Sequence, residues 1–156
     1  FGLMLTPNGP KVIEYNCRFG DPETQVVLPL LETDIMDIIE AVWEEKLDTL
    51  DIKWSDKSCA CVVMASGGYP EKYETGKVIS GLDENGQCEG AFVYHAGTKL
   101  EDGKFLTAGG RVLGITAYGD TLKEALDTAY KAVDTISFEK AHYRHDIGKK
   151  ALSALK

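Results

Sequence analysis

No apolar run in the 156 residues approaches the roughly 20 that a membrane-spanning helix needs. Positive charge is scarce as well. Against 25 Asp and Glu stand 17 Lys and Arg, a formal net charge of -8, which argues against a general nucleic-acid or anionic-membrane binder. An anionic substrate stays possible, because a site can be locally basic on an acidic protein. No G-x-x-x-x-G-K-[ST] phosphate loop occurs. Of the four cysteines, Cys17, Cys59, Cys61 and Cys88, none forms a C-x-x-C pair. Their spacing does not suit a structural zinc site with His95 or His142. They read as small buried hydrophobes in a reducing cytoplasm. Internal repeats and low-complexity segments are absent.

What is present is the composition of a globular protein, 44% hydrophobic and 27% charged. The opening "FGLML" carries no initiator Met and reads as a strand already under way, so the chain is expected to be part of a longer one. Strands over about 2–6 and 11–17 flank the turn "PNGP" and predict a β-hairpin. In "GDPETQVVLPLL", Asp21 suits an N-cap and Pro22 the first helical position, and Pro29 ends or kinks that helix. Thr33 or Asp34 caps a second helix with the stripe Ile35, Ile38, Ile39, Val42 and Trp43, stopping near Lys46 or Leu47.

Residues 48–57 read as a connector. Short strands follow at about 58–66, 77–81, 91–96, 98–101, 104–107 and 110–118. One long helix is expected over 121–136. Thr121 and Glu124 form its capping box, and Leu122, Ala125, Leu126, Ala129, Val133 and Ile136 its apolar stripe. The fold class is therefore α+β: residues 1–47 end one domain, and 58–156 form a small β-rich domain with one long helix.

The stretch "VIEYNCRFGDPE" (12–23) carries the chemistry. Side chains alternate along a strand, so Glu14, Asn16 and Arg18 are expected on one face, with Ile13, Tyr15 and Cys17 toward a core. Glu14 and Asn16, about 7 Å apart along such a strand, offer hard oxygen donors to magnesium. Arg18 offers a fork for phosphate or carboxylate. The helix start just beyond is itself an anion site. A half-solvated strand would show the same alternation without any ligand.

"GLMLTPNGPKVIEYNCRFGDPETQVVLPLL" resembles the last part of the ATP-grasp domain of the phosphoribosylamine–glycine ligase family. E-x-N is the ATP-grasp metal pair, and "RFGDPETQ" is more specific to these ligases. "VVMASGGYP", "HAGT", "GGRVLGITAYGDTLKEALDTAY" and "YRHDIG" resemble the family's C-terminal domain, so the likeness covers essentially the whole chain. It implies an ATP-dependent cytoplasmic ligase of purine biosynthesis, with magnesium or manganese as cofactor and ATP as co-substrate. Glycine is phosphorylated on its carboxylate and then joined to 5-phosphoribosylamine. On this resemblance Glu14 and Asn16 hold the metal, Arg18 sits by the transferred phosphoryl group or the glycine carboxylate, and Asp21 and Glu23 shape the glycine pocket, with helix capping as their structural alternative. The family's N-terminal domain, its lid and most of its ATP-grasp core are expected to precede Phe1, and the fragment alone is expected to be inactive. "FGLMLT" lacks the acid that many ATP-grasp enzymes carry on this strand.

Other signals are weaker. Arg111 follows two glycines in "AGGRVLG", which allows a substrate or nucleotide contact, or merely a bend or bulge entering a strand. His95 reads as a structural hydrogen-bond partner. His142, Arg144, His145 and Asp146 read as surface or domain packing, since no nucleophile motif accompanies them. Two rival readings are a noncatalytic β-rich binding module and the end of another ATP-grasp enzyme such as a carboxylase subunit. The first does not explain "IEYNCRFGDPE", and the second is not expected to combine "RFGDPETQ" with "YRHDIG".

Overall fold

The computed structural model describes residues 2–154. β1 (Gly2–Thr6) and β2 (Gly9–Glu14) form an antiparallel hairpin with Thr6 opposite Gly9. The turn is local chemistry. Gly9 takes a φ of 87°, open to glycine at little cost, and the Thr6 hydroxyl donates to the Gly9 carbonyl at 2.7 Å. This two-stranded sheet gains no further strand among the described residues.

Three expectations fail in this region. β2 ends at Glu14, opposite Gly2, so Asn16 and Arg18 lie beyond the strand and not on its face. Ile13, Tyr15 and Cys17 do not face a core: Ile13 and Tyr15 are 62% and 65% exposed, and Cys17 is exposed too. Asp21 caps no helix: it and Pro22 sit in a turn joined by a cis peptide bond, and α1 runs only from Thr24 to Val27. Pro29 acts as expected. After Val27 the chain tightens into a 3-10 turn, Leu28–Leu30, since proline offers no N–H for an α-helical bond.

Asp34 caps α2 (Ile35–Trp43), its Oδ1 accepting from the Met36 N–H at 2.8 Å. The helix stops three residues before Lys46, with Glu45 at positive φ just beyond it. Its predicted stripe is amphipathic but uncovered: Ile35, Ile39 and Val42 are exposed, and Trp43 is 88% exposed. The chain then returns toward 30–32, with the Glu32 N–H donating to the Lys53 carbonyl and the Ser55 N–H to the Leu30 carbonyl.

β3 (Ser58–Ala65), β7 (Arg111–Gly119) and β4 (Phe92–His95) form one antiparallel sheet with β7 in the centre. β5 (Thr98–Glu101) and β6 (Lys104–Thr107) pair separately. Residues 77–81 form no strand. Val78 bridges Leu106 and Ser80 bridges Ser137, so the segment changes partner before a ladder can extend. α3 (Leu122–Val133) starts where Thr121 caps it, accepting from the Glu124 N–H at 3.2 Å. The Glu124 carboxylate reaches back to the Asp120 N–H, one residue beyond the usual capping box. Its stripe packs on the sheet. Val62, Met64, Leu113, Ile115, Ala129 and Val133 form the centre of the core.

The tail packs too. The Ala65 and His142 backbones exchange hydrogen bonds, Tyr130 Oη donates to the Arg144 carbonyl, and α4 (Lys149–Ala154) follows.

Candidate functional site

The outer face of the sheet positions the chemistry. Along β3, Ala60, Val62 and Met64 are buried toward α3, whereas Cys59, Cys61 and Val63 are half-buried on the other side. On that side lies the 24–30 segment. Tyr118 Oη donates to the Pro29 carbonyl at 3.2 Å, and Phe92 meets Tyr118 edge to face. This docking brings the loop between β2 and α1 alongside the sheet.

Although Asn16 and Arg18 are off the strand, the fold keeps the predicted group together. Glu14, Asn16, Arg18, Asp21 and Glu23 line one open cleft of about 400 Å³ with Gly20. Asn16 Nδ2 donates to Glu14 Oε1 at 3.1 Å. That leaves the Asn16 amide oxygen and the second Glu14 oxygen as hard donors, the chemistry that magnesium takes. Among the described residues no group of three or more His, Cys, Asp or Glu forms a metal cage. A carboxylate–amide pair suits an ion that keeps several waters and shares substrate phosphates. Arg18 is exposed, with a long 3.4 Å contact to the Phe19 carbonyl. Glu23 folds over Gly20, where a side chain would collide with its carboxylate.

Arg111 comes from 90 residues away. Its Nη1 donates to the Asp21 carbonyl at 3.0 Å and its Nη2 to Asp21 Oδ2 at 2.8 Å. Gln25 Nε2 donates to the other oxygen, Asp21 Oδ1, at 2.8 Å. Sequence reading passed over Gln25; its i, i+4 spacing from Asp21 was the available signal. The Gln25 Oε1 atom is buried with no hydrogen-bond partner. The pair Arg111–Asp21 is partly exposed, and such pairs contribute about 0–1 kcal/mol to stability.

A neighbouring hollow of about 300 Å³ is lined by Pro22, Cys61, Tyr69, Arg111, Tyr143 and Arg144, among others. Four separate sequence motifs thus meet beside the Asp21 turn. Within the last of them, Arg144 grips Asp146 through two 2.9 Å hydrogen bonds, and the His145 and Tyr143 rings meet at a tilt of 55°. His95 lies apart from the cleft of Glu14. Its Nε2 donates to the Gly86 carbonyl at 2.9 Å and its Nδ1 lies 2.9 Å from the Thr98 hydroxyl, a structural tie.

Burial pushes the Cys59 thiol up to about 11, with Cys61 beside it adding to the effect; burial likewise raises Cys61. Cys17 is exposed. The thiolate is the reactive form, so at pH 8 iodoacetamide is expected to label Cys17 well before Cys59. Peptide mapping by mass spectrometry checks this, and equal rates at the two sites would contradict it.

Comparison with known proteins fits this geometry. The family model described as "Phosphoribosylglycinamide synthetase, C domain" matches residues 59–150. That for "Phosphoribosylglycinamide synthetase, ATP-grasp (A) domain" matches residues 1–24. This chain belongs to the phosphoribosylglycinamide synthetase family. Phosphoribosylamine–glycine ligase of Caldanaerobacter subterraneus is 57% identical over 146 residues, which is 94% of this chain and 34% of that protein. The ligase of Synechocystis is 52% identical over 97% of this chain and 36% of its own length. A crystal structure of phosphoribosylamine–glycine ligase from Thermotoga maritima superposes with a TM-score of 0.72 at 35% identity, covering 93% of this chain and 35% of that one. The chain thus spans about a third of the length of these relatives. Its α+β architecture matches part of that synthetase structure.

Proposed function

We propose that the chain is the late ATP-grasp and C-terminal portion of a ligase that joins glycine to 5-phosphoribosylamine at the expense of ATP. The observation that carries this is the convergence of Glu14, Asn16, Arg18, Asp21 and Glu23 on one polar cleft, all of them within the residues that the ATP-grasp family model matches. On this reading residues 1–47 close the ATP-grasp domain, 48–57 connect, and 58–156 form the C-terminal domain. The uncovered apolar faces of the β1–β2 hairpin and of α2 suit packing against a preceding part of the same polypeptide. No described helix is long and apolar enough to cross a membrane, and free thiols suit the cytoplasm.

The reaction needs two displacements. A glycine carboxylate oxygen attacks the γ-phosphorus of ATP, forming the acyl phosphate as the bond to ADP breaks. The amine of 5-phosphoribosylamine then attacks the acyl carbon, phosphate leaves, and the nitrogen loses a proton. Glu14 and Asn16 would hold magnesium or manganese, which when bound offsets charge on the phosphate oxygens. Arg18 stabilises charge on the moving phosphoryl oxygens, in a reaction governed by positioning and electrostatics. Glu23 borders the glycine pocket, and Asp21 shapes it from the turn.

The test is an assay of the full-length protein for ADP and phosphate release. Release that requires both glycine and 5-phosphoribosylamine is the expected result. Its absence, or activity with another acceptor instead, would overturn the reading. The 156 residues alone are expected to be inactive, since the resemblance puts the adenine pocket and lid outside them.

A further inference from the structure

We infer that Arg111 is a positioning residue, fastening the Asp21 turn so that the C-terminal sheet holds the metal–phosphoryl cleft in register; this rests on the function proposed above. Both Asp21 carboxylate oxygens are engaged, Oδ2 by Arg111 and Oδ1 by Gln25, and Arg111 also holds the Asp21 carbonyl. A carboxylate so occupied is a fixed point of the backbone rather than a free ligand. Asp21 is three residues from Arg18 and lines the same cleft as Glu14 and Asn16. Residues 15–23 belong to no strand or helix, so the placement of this loop depends on such ties.

Arg111 is well built as an anchor. It opens β7, the central strand, and lies opposite Ala65. Its carbonyl accepts from the Gly97 N–H at 2.8 Å. The preceding Gly109 and Gly110 carbonyls accept from the Ser66 hydroxyl and N–H, each at 2.8 Å, and Ser66 is buried. A side chain at Gly110 would collide with the Tyr69 ring, so the close approach requires glycine. The backbone that carries the guanidinium is thus held by two other segments, 65–69 and Gly97, and the guanidinium delivers two donors to one residue. Lysine, a single flexible point charge, cannot reproduce that fork.

The test uses Arg111→Met, Arg111→Lys, Asp21→Asn and the Arg111→Met/Asp21→Asn double variant of the full-length protein. Hydrogen exchange of amides 19–25 is expected to rise in all four while β3 and β7 stay protected. In the assay, kcat is expected to fall about 10²-fold, as for a misplaced catalytic group. KM values should change little, and the double variant should be no worse than the worse single. Unchanged exchange at 19–25 overturns the clamp whatever the reaction proves to be. A raised KM for one substrate in the Arg111 variants alone, with effects that multiply in the double variant, also overturns it and makes Arg111 a direct contact. Raised exchange in a protein whose wild type lacks ligase activity supports the clamp and removes the proposed function instead.

Discussion

Glu14→Gln in the full-length protein is expected to lower kcat by roughly 10²- to 10³-fold with no measurable change in Tm, the range seen when one group stabilising transition-state charge is removed. Glu14 ends β2 in an exposed position, where substitutions change stability by no more than about 0.5 kcal/mol. The amide keeps the shape and still accepts from Asn16, but it removes the negative charge that draws a divalent cation. If Glu14 acts through the ion, part of the loss should recover as magnesium is raised. Steady-state rates across a magnesium titration, set beside a thermal melt, separate the possibilities. A kcat within twofold of wild type at ordinary magnesium would remove Glu14 from the site.

The second large effect is on folding. Leu113→Ala is expected to destabilise the protein by about 2–5 kcal/mol, the cost of emptying a filled core position. Leu113 is 0% exposed and lies opposite Met64 on one side of β7 and His95 on the other. Because total stabilities run to about 5–15 kcal/mol, such a loss should move a urea midpoint visibly. Leu5→Ala in the same 156-residue chain is the contrast. Leu5 is 84% exposed on the free hairpin, so its loss should stay within about 0.5 kcal/mol. A Leu113→Ala cost below about 1 kcal/mol would place the core elsewhere.

Glu14 and Leu113 also show how far sequence reasoning reaches. The oxygen-donor chemistry of Glu14 and Asn16 was legible because residue type alone defines it. Their arrangement was not. Alternation assumed a strand through Arg18, whereas among the described residues β2 ends at Glu14, opposite Gly2. The exposed stripe of α2 makes the same point. Its period correctly announced a helix, but a period cannot say whether a partner is present to cover it. The stretch 77–81 has strand-like composition yet only isolated bridges, since its neighbours change midway.

The sequence by itself determined the features set within a few residues. These are the hairpin turn at Pro7 and Asn8, the Asp34 and Thr121 caps, the break at Pro29 and the buried stripe of α3. Each follows from backbone stereochemistry or a short hydrogen bond, energies that a local pattern encodes. Only the tertiary structure decided that Asp21 leaves its expected cap to meet Arg111 and Gln25, and that "RFGDPE", "SGGYP", "GGRV" and "YRHDIG" converge on one turn. Arg111 and Asp21 are 90 residues apart. Nothing in either one's neighbours specifies the other, because their meeting follows from the docking of the 24–30 segment on the outer face of the β3–β7–β4 sheet.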